Sequence, residues 1–483
     1  MTDTYLNFVG GEWTPSSTGE TFENRNPADR DDLVGTFQRS GSEDAEAAIA
    51  AAADAADSWA RTPAPERGGI LREASRRLEA REEEATTALV REEGKTEAEA
   101  AGEVGRAIDI LAYYGEKAAD LGGTVKSASS PDTHLYTVDE PLGVAALITP
   151  WNYPIAIPAW KLAPALATGN AVVFKPASLA PNVARILVEC LEEAGLPAGV
   201  CNYVTGPGSS VGETFATHEE VDAVSFTGSA RVGNTVYEGA TEDQKRVQLE
   251  MGGKNPVVVS STADVEKAAE IAADGAFGVT GQACTATSRA IVHESLHDEF
   301  VAAVVERAES LTIGEGLADV DVGPHVSEDE LESTLEYVDV GEREGATLET
   351  GGERLTDGEY ATGYFVEPAV FSGVEPGMRI AQEEIFGPVL SVIPAADFEE
   401  AIEIANGVEY GLSASVVTED LSEANRFADE IDAGVVKVNQ KTTGLELHVP
   451  FGGMKASSSE TYREQGDAGL DFFTISKTVY VGY

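Results

Sequence analysis

The sequence predicts an α/β fold: a parallel, doubly wound sheet with a second α/β lobe beside it. Three observations carry this. From residue 144 onward, short apolar runs alternate with stretches of helical periodicity, the rhythm of parallel strands joined by crossover helices. That rhythm occurs in two successive sets. The chain has 483 residues, 42% of them hydrophobic, enough for two or three lobes with sizeable cores.

Helices come first, over 43–118. Ser42-Glu43-Asp44 offers a cap, the Ala-rich run 45–60 follows, and 67–91 carries apolar residues at helical spacing with charges opposite. Strands are expected at 144–148, 171–174, 201–204, 223–226 and 256–259, with helices at 181–194, 208–215 and 230–239 between them. A second set runs through 290–292, 298–311, 365–371, 389–395, 397–406, 413–417, 423–431 and 435–438. The tail 474–481 reads as a strand. Residues 314–363 read as loop-rich, acidic, solvated surface. No repeat or low-complexity linker interrupts the chain, so the lobes are expected to pack as one body.

Charge narrows the function classes. Lys plus Arg is 33 and Asp plus Glu 84, giving a formal charge of −51. Such a polyanion cannot hold phosphate backbones by charge, which excludes nucleic acid, and anionic membranes would repel it. No run of 18 apolar residues exists to span a bilayer. The opening Met1-Thr2-Asp3-Thr4-Tyr5 lacks the basic and apolar regions of an export signal. Acid excess, with only 12 Lys against 21 Arg, suits a salt-rich cytoplasm where self-repulsion is screened. Three cysteines, Cys190, Cys201 and Cys284, give no disulfide framework and fit a reducing cytoplasm.

Ligands of open α/β sheets bind beyond the carboxyl ends of the strands. Thr149-Pro150-Trp151-Asn152-Tyr153-Pro154, Lys175-Pro176-Ala177-Ser178 and Thr227-Gly228-Ser229 all follow predicted strands. Cys284 lies in a Gly/Thr/Ser-rich stretch that suits an accessible turn, whereas Cys190 and Cys201 fall in apolar runs that suit a core. A nucleophilic thiol needs nearby donors and a base. Glu250 beside Gly252-Gly253 can serve as general base, and Asn152 can donate its amide to an oxyanion. Taken singly, each has a plainer reading: a core thiol, a surface carboxylate, a turn residue.

Together these segments resemble the aldehyde dehydrogenase superfamily over essentially the whole chain. The motifs run in order: Asn7-Phe8-Val9-Gly10-Gly11-Glu12-Trp13, 149–154, Gly169-Asn170 to Lys175-Pro176, Phe226-Thr227-Gly228-Ser229, Glu250-Met251-Gly252-Gly253-Lys254, Gly281-Gln282-Ala283-Cys284, Glu383-Glu384-Ile385-Phe386-Gly387-Pro388, Pro450-Phe451-Gly452-Gly453 and Lys477-Thr478-Val479-Tyr480. The resemblance implies oxidation of an aldehyde through a thiohemiacetal and thioester on Cys284, with Asn152 holding the oxyanion and Glu250 activating water. Lys161 is implied as a proton-relay and positioning residue, the alternative being a solvated helix lysine. A Rossmann-like coenzyme domain (1–121 and 141–252), an α/β catalytic domain (253–452) and a β oligomerisation flap (122–140 and 468–483) are implied too. A homodimer or homotetramer follows.

The resemblance also assigns a nicotinamide cofactor. Thr149, Pro150 and Trp151 line its cleft, and Thr227, Gly228 and Ser229 open the helix that meets the pyrophosphate. Gly233 lets that helix pack closely. Lys175 reaches the adenine ribose, and Glu384 with Phe386 holds the nicotinamide ribose. Gly208 belongs to Gly206-Pro207-Gly208-Ser209-Ser210-Val211-Gly212, the nearest approach to a Gly-x-Gly-x-x-Gly fingerprint and one residue off it. Ser178 stands where NAD-preferring members carry Glu, which removes the repulsion of a 2′-phosphate and points to NADP, with NAD as the second cofactor.

His293-Glu294-Ser295-Leu296-His297 spells a zinc-protease string, but a strand running into His293 would keep both rings off one helix face, and no metal is expected. The entrance segments 439–444, 448–459 and 462–466 resemble members acting on 2-oxoglutarate semialdehyde (2,5-dioxopentanoate). Trp160 stands where succinate semialdehyde members carry Arg. A broad aldehyde, glyceraldehyde or succinate semialdehyde specificity is the alternative. Lys441 and Arg106 are the candidate cations for an anionic substrate.

Overall fold

The computed structural model describes residues 4–483; of the opening pentapeptide, residues 1–3 lie outside them. Two seven-stranded sheets organise the chain. In the first, strands Arg246–Glu250, Ala223–Thr227, Val144–Ile148, Ala171–Lys175 and Cys201–Tyr203 lie side by side, all parallel, and Asn7–Val9 and Glu12–Thr14 add an antiparallel edge. Val144–Ile148, Ala171–Lys175 and Ala223–Thr227 are buried throughout, as parallel strands covered by helices on both faces must be. Ala45, Ala48 and Ala52 of helix Ser42–Arg61 are fully buried with Val144, Ala146 and Val173 of the sheet, because small side chains allow close approach.

The second sheet runs Thr347–Thr350, Ala369–Ser372, Val389–Ala395, Thr287–His293, Asn255–Val259, Ser413–Val417 and Val435–Val438, parallel except at its first strand. A third sheet pairs Thr474–Gly482 with Thr133–Pro141 over nine residues and adds Val125–Lys126. Among the described residues no helix is long and apolar enough to cross a membrane.

Several expectations need correction. Residues 314–363 are not simply a solvated loop, since Glu328–Glu344 is a 17-residue helix capped by Ser327. Its core face, Leu331, Thr334 and Val338, is spaced three and four residues apart and hidden among acids. The run 67–91 is two helices, Ala64–Ala80 and Glu82–Glu93, broken at Arg81. Asn255–Val259 belongs to the second sheet, not the first. Segment 365–371 splits into two strands that join different sheets, separated by Glu367-Pro368. The helix expected at 208–215 begins as a wider π turn, Gly208–Gly212. The short edge strands near the N-terminus and Arg246–Glu250 were not anticipated.

Candidate active site

Strand Val144–Ile148 delivers Thr149 to Asn152 at the carboxyl edge of the first sheet. Asn152 is buried, and its side-chain amide donates to the Gln282 carbonyl at 3.0 Å, leaving one N–H without an acceptor among the described residues. Next to it, Ala223–Thr227 ends in Gly228-Ser229, and helix Ala230–Glu242 starts with Ser229 in extended conformation and no side-chain cap. The first-turn N–H groups are therefore open to an anion. Thr227 pairs in register with Glu250 of the neighbouring strand, and the Gly228 N–H donates to the Glu250 carbonyl at 3.1 Å.

The Glu250 side chain is buried, and neither of its oxygens has a hydrogen-bond partner among the described residues. Burial raises its carboxyl well above the usual range; the Glu464 carboxylate adds to this while Lys161 and Arg463 oppose it. Lys161 is no solvated helix lysine. It is buried, ion-paired with Glu464, and donates to Ser225 Oγ at 2.7 Å.

Cys284 follows a tight turn in which Val279 and Thr280 take φ of 53° and 54° and Gly281 takes 68°. A side chain at Gly281 would overlap the Gly387 carbonyl, so this loop needs glycine. Asn255 fixes the loop from below by donating to the Cys284 carbonyl at 2.9 Å. Burial, followed by the carboxyls of Glu384, Glu250 and Glu464, pushes the thiol up to about 12. The residue as a whole is half-buried, opening onto the clefts, whereas Cys190 and Cys201 are buried.

Two cavities meet at Cys284. One, of about 250 Å³, is lined by Pro150, Trp151, Asn152, Thr227, Gly228, Ser229, Glu250, Glu384 and Phe386 as well as Cys284. The other, of about 460 Å³, is lined by Arg106, Tyr153, Trp160, Lys441, Phe451 and Cys284 among others. Most of the residues singled out in the sequence thus converge on the first cavity. Trp151 and Phe386 meet edge-on across it at 5.3 Å, Phe386 with φ of 61°. Glu384 accepts the Gly253 N–H at 3.0 Å, and burial raises its carboxyl to about 7.

Six of the catalytic and cofactor residues stand outside that lining, Thr149 among them. Lys161 lies behind Glu250. Gly233 sits on the helix where a Cβ would come 2.5 Å from Met251 Sδ. Lys175, adjacent to Thr149 at the sheet edge, donates to the Pro176 carbonyl at 3.0 Å, and burial lowers its ammonium to about 8. Ser178 donates to the Gly206 carbonyl at 3.3 Å, and Gly208 opens the π turn nearby. His293 ends a strand, its ring paired with the Ser295 hydroxyl, and His297 starts a helix. Glu464, Met251 and Tyr153 fall in segments quoted above without a role of their own, and Lys95 was not singled out. Each lies in a stretch whose local pattern is charge or turn, and only the tertiary fold brings it to the site.

The cleft suits a dinucleotide. Buried Thr149 and Thr227 hydroxyls lack partners among the described residues, the Ser229 helix offers free N–H groups, and a side chain at Gly252 would overlap Glu384. The model of the aldehyde dehydrogenase family matches residues 13–479. The chain belongs to that family. An alpha-ketoglutarate semialdehyde dehydrogenase of Haloferax volcanii is 63% identical over 484 residues, covering 100% of both chains. A 2,5-dioxopentanoate dehydrogenase of Saccharolobus solfataricus is 45% identical, covering 98% of this chain and 99% of its own. The structure of betaine aldehyde dehydrogenase from Staphylococcus aureus in complex with NAD+ superposes with a TM-score of 0.96 at 35% identity, covering 99% and 94%. Aldehyde dehydrogenases oxidise small aldehydes with NAD or NADP, and the fold expected for the family is the fold found.

Proposed function

We propose that this aldehyde dehydrogenase converts 2-oxoglutarate semialdehyde (2,5-dioxopentanoate) to 2-oxoglutarate, with Cys284 as nucleophile. One observation carries the reading: Cys284 is where the outer cavity, which holds the cations Arg106 and Lys441, meets the inner cleft suited to a dinucleotide. The names of the two relatives support the substrate. Arg106 and Lys441 are the cations it could meet in the outer cavity: neither has a carboxylate within 4.0 Å among the described residues, while Glu99 and Asp274 line the same cavity.

Cys284 Sγ, deprotonated, adds to the aldehyde carbon, and the carbonyl oxygen becomes an oxyanion taken up by the free Asn152 amide N–H. The tetrahedral carbon can then release hydride. A bound nicotinamide supplies the acceptor for that hydride. Cys284 is left as a thioester. Glu250 removes a proton from water, the hydroxide adds to the thioester carbon, and the carbon–sulfur bond breaks to free the thiolate and the carboxylic acid, whose own proton passes to solvent to leave the carboxylate. The Lys161–Glu464 ion pair sets the charge around Glu250, and the proton Glu250 has taken returns to solvent.

Trp151, Thr227, Ser229, Glu384 and Phe386 would hold the cofactor. Ser178 beside Lys175 favours NADP, because a serine hydroxyl can donate to a 2′-phosphate that a carboxylate would repel. Three free cysteines support a cytoplasmic enzyme, since a reducing compartment keeps thiols unpaired. The division into coenzyme domain (1–121 and 141–252), catalytic domain (253–452) and flap (122–140 and 468–483) makes the third sheet the oligomerisation surface. Val125, Ile475 and Tyr480 are 72%, 53% and 71% exposed there, apolar area that a dimer or tetramer would cover.

Cys284→Ser tests the centre of the reading: oxidation is lost while cofactor affinity stays at the wild-type value. Substantial residual dehydrogenase activity would refute it. Substrate assignment is tested with a panel of semialdehydes and both cofactors, where 2,5-dioxopentanoate with NADP should give the highest kcat/KM. Ser178→Glu should turn that preference toward NAD. Arg106→Met should raise KM for 2,5-dioxopentanoate about tenfold, the worth of one modest charged contact, and leave a neutral aldehyde of similar length unaffected.

A further inference from the structure

The corner between helices Glu82–Glu93 and Glu97–Lys117 holds a buried charge cluster that this chemistry does not use. Lys95 Nζ lies 3.2 Å from Glu93 Oε2 and 3.1 Å from Glu103 Oε2, with all three side chains 1% exposed. The same ammonium donates to the backbone carbonyl of Asn152 and stands 4.5 Å from the centre of the Tyr153 ring. Glu103 Oε1 accepts the N–H groups of Ile155 at 3.0 Å and Ala156 at 3.1 Å. The cluster therefore grips the turn 152–156 at both ends.

Its base is rigid. Gly94 takes φ of 96° to end the first helix, and a Cβ on Gly316 would overlap the Lys95 carbonyl. Thr96 and Glu99 form a capping box at the start of the second helix, and Glu99 also accepts the Val279 N–H at 2.6 Å, in the turn that leads to Cys284. Burial works against the Lys95 charge, but Glu103 and Glu93 outweigh it and hold the ammonium above its ordinary range. A buried ammonium held between two carboxyls, with burial pushing that of Glu93 up to about 8, is a poor way to stabilise a corner that apolar side chains could fill, because taking charge out of water is costly.

We propose that Lys95 is a positioning residue, its ammonium anchored by Glu93 and Glu103 and fixing the Asn152 carbonyl so that the Asn152 amide stands where the oxyanion forms. This rests on the reading of Asn152 as oxyanion donor. An oxyanion donor works only when held in place before the charge develops, and a shift of about 1 Å can cost roughly a hundredfold in rate.

A double-mutant cycle on kcat tests it. Asn152→Ala should lower kcat at least about a hundredfold, as loss of one oxyanion donor does. Lys95→Met alone should lower kcat about tenfold to a hundredfold with cofactor affinity unchanged. In the Asn152→Ala background Lys95→Met should cost almost nothing further, because two residues acting through one contact are non-additive. Full multiplication of the two losses overturns the positioning role. Wild-type kcat in Asn152→Ala overturns the assignment of Asn152 itself. If Lys95→Met does not fold, Lys95→Arg keeps the charge, loses the point geometry, and enters the same cycle with the same outcomes.

Discussion

Cys284 shares its surroundings with three carboxyls, and this fixes the sign of the pH dependence. Burial first, and then Glu384, Glu250 and Glu464, push the thiol up to about 12, so it is neutral at pH 7. The nucleophile is the thiolate, whose fraction rises tenfold per unit below that value. Glu250 is also raised by burial and must be ionised to act as a base, so the later hydrolysis step gains with pH as well. kcat/KM should therefore climb from pH 7 to pH 9, approaching tenfold per unit; a flat profile over that window would mean a thiolate formed in advance. Glu250→Gln should leave a burst of about one equivalent of reduced cofactor per site followed by near-zero turnover, read by stopped-flow absorbance, because thioester hydrolysis loses its base. Among single residues, Cys284 was legible because its neighbours are small and polar while those of Cys190 and Cys201 are apolar. Lys161 was ambiguous and Lys95 invisible, because a buried lysine and a solvated one look alike until Glu464, or Glu93 with Glu103, is folded onto it.

Elements present these residues, and the close fit between them is carried by particular glycines. The turn leaving strand Arg246–Glu250 passes Glu384 so tightly that a side chain at Gly252 would overlap its carboxylate. Gly252 has no positive φ, so alanine suits its backbone and the whole effect of Gly252→Ala falls on Glu384. Displacing Glu384 also breaks its bond from the Gly253 N–H. Cofactor affinity should fall about tenfold or more, seen by fluorescence titration, with a stability loss of about 1–3 kcal/mol from overpacking in a thermal melt. Unchanged cofactor affinity would remove Glu384 from the binding site. Buried strands such as Val144–Ile148 were legible because a short, unbroken apolar run bounded by turn residues suits a parallel strand covered on both faces. Helix Glu328–Glu344 was not, since its three-and-four spacing carries few apolar residues against a dense acidic background. Arg246–Glu250 was not either: its alternation of Val247 and Leu249 with polar residues is too short to stand out, although it delivers the proposed base.

At the scale of the whole molecule, the charge of −51 and the two-sheet frame pull in opposite directions. The sheets bury nearly continuous apolar strands, while the surface gathers 84 acids against 33 bases, and compaction brings like charges together. In dilute buffer that repulsion acts over roughly 10 Å; near 1 M salt the screening length falls to about 3 Å and only neighbours are felt. The folded state gains more from screening than the expanded chain, so the midpoint of unfolding should rise with KCl, by about 10 °C or more between 0.1 M and 2 M. Activity should rise as well, since an anionic cofactor and an anionic semialdehyde must approach the same surface. The cause can be separated from a specific ion effect, because screening depends on ionic strength alone. Tetramethylammonium chloride should then match KCl, whereas a requirement for potassium would leave it without effect. A melting temperature independent of salt would show that this acidic surface is neutral to folding, and a neutral aldehyde gaining as much from salt as 2,5-dioxopentanoate would detach the substrate's charge from the effect.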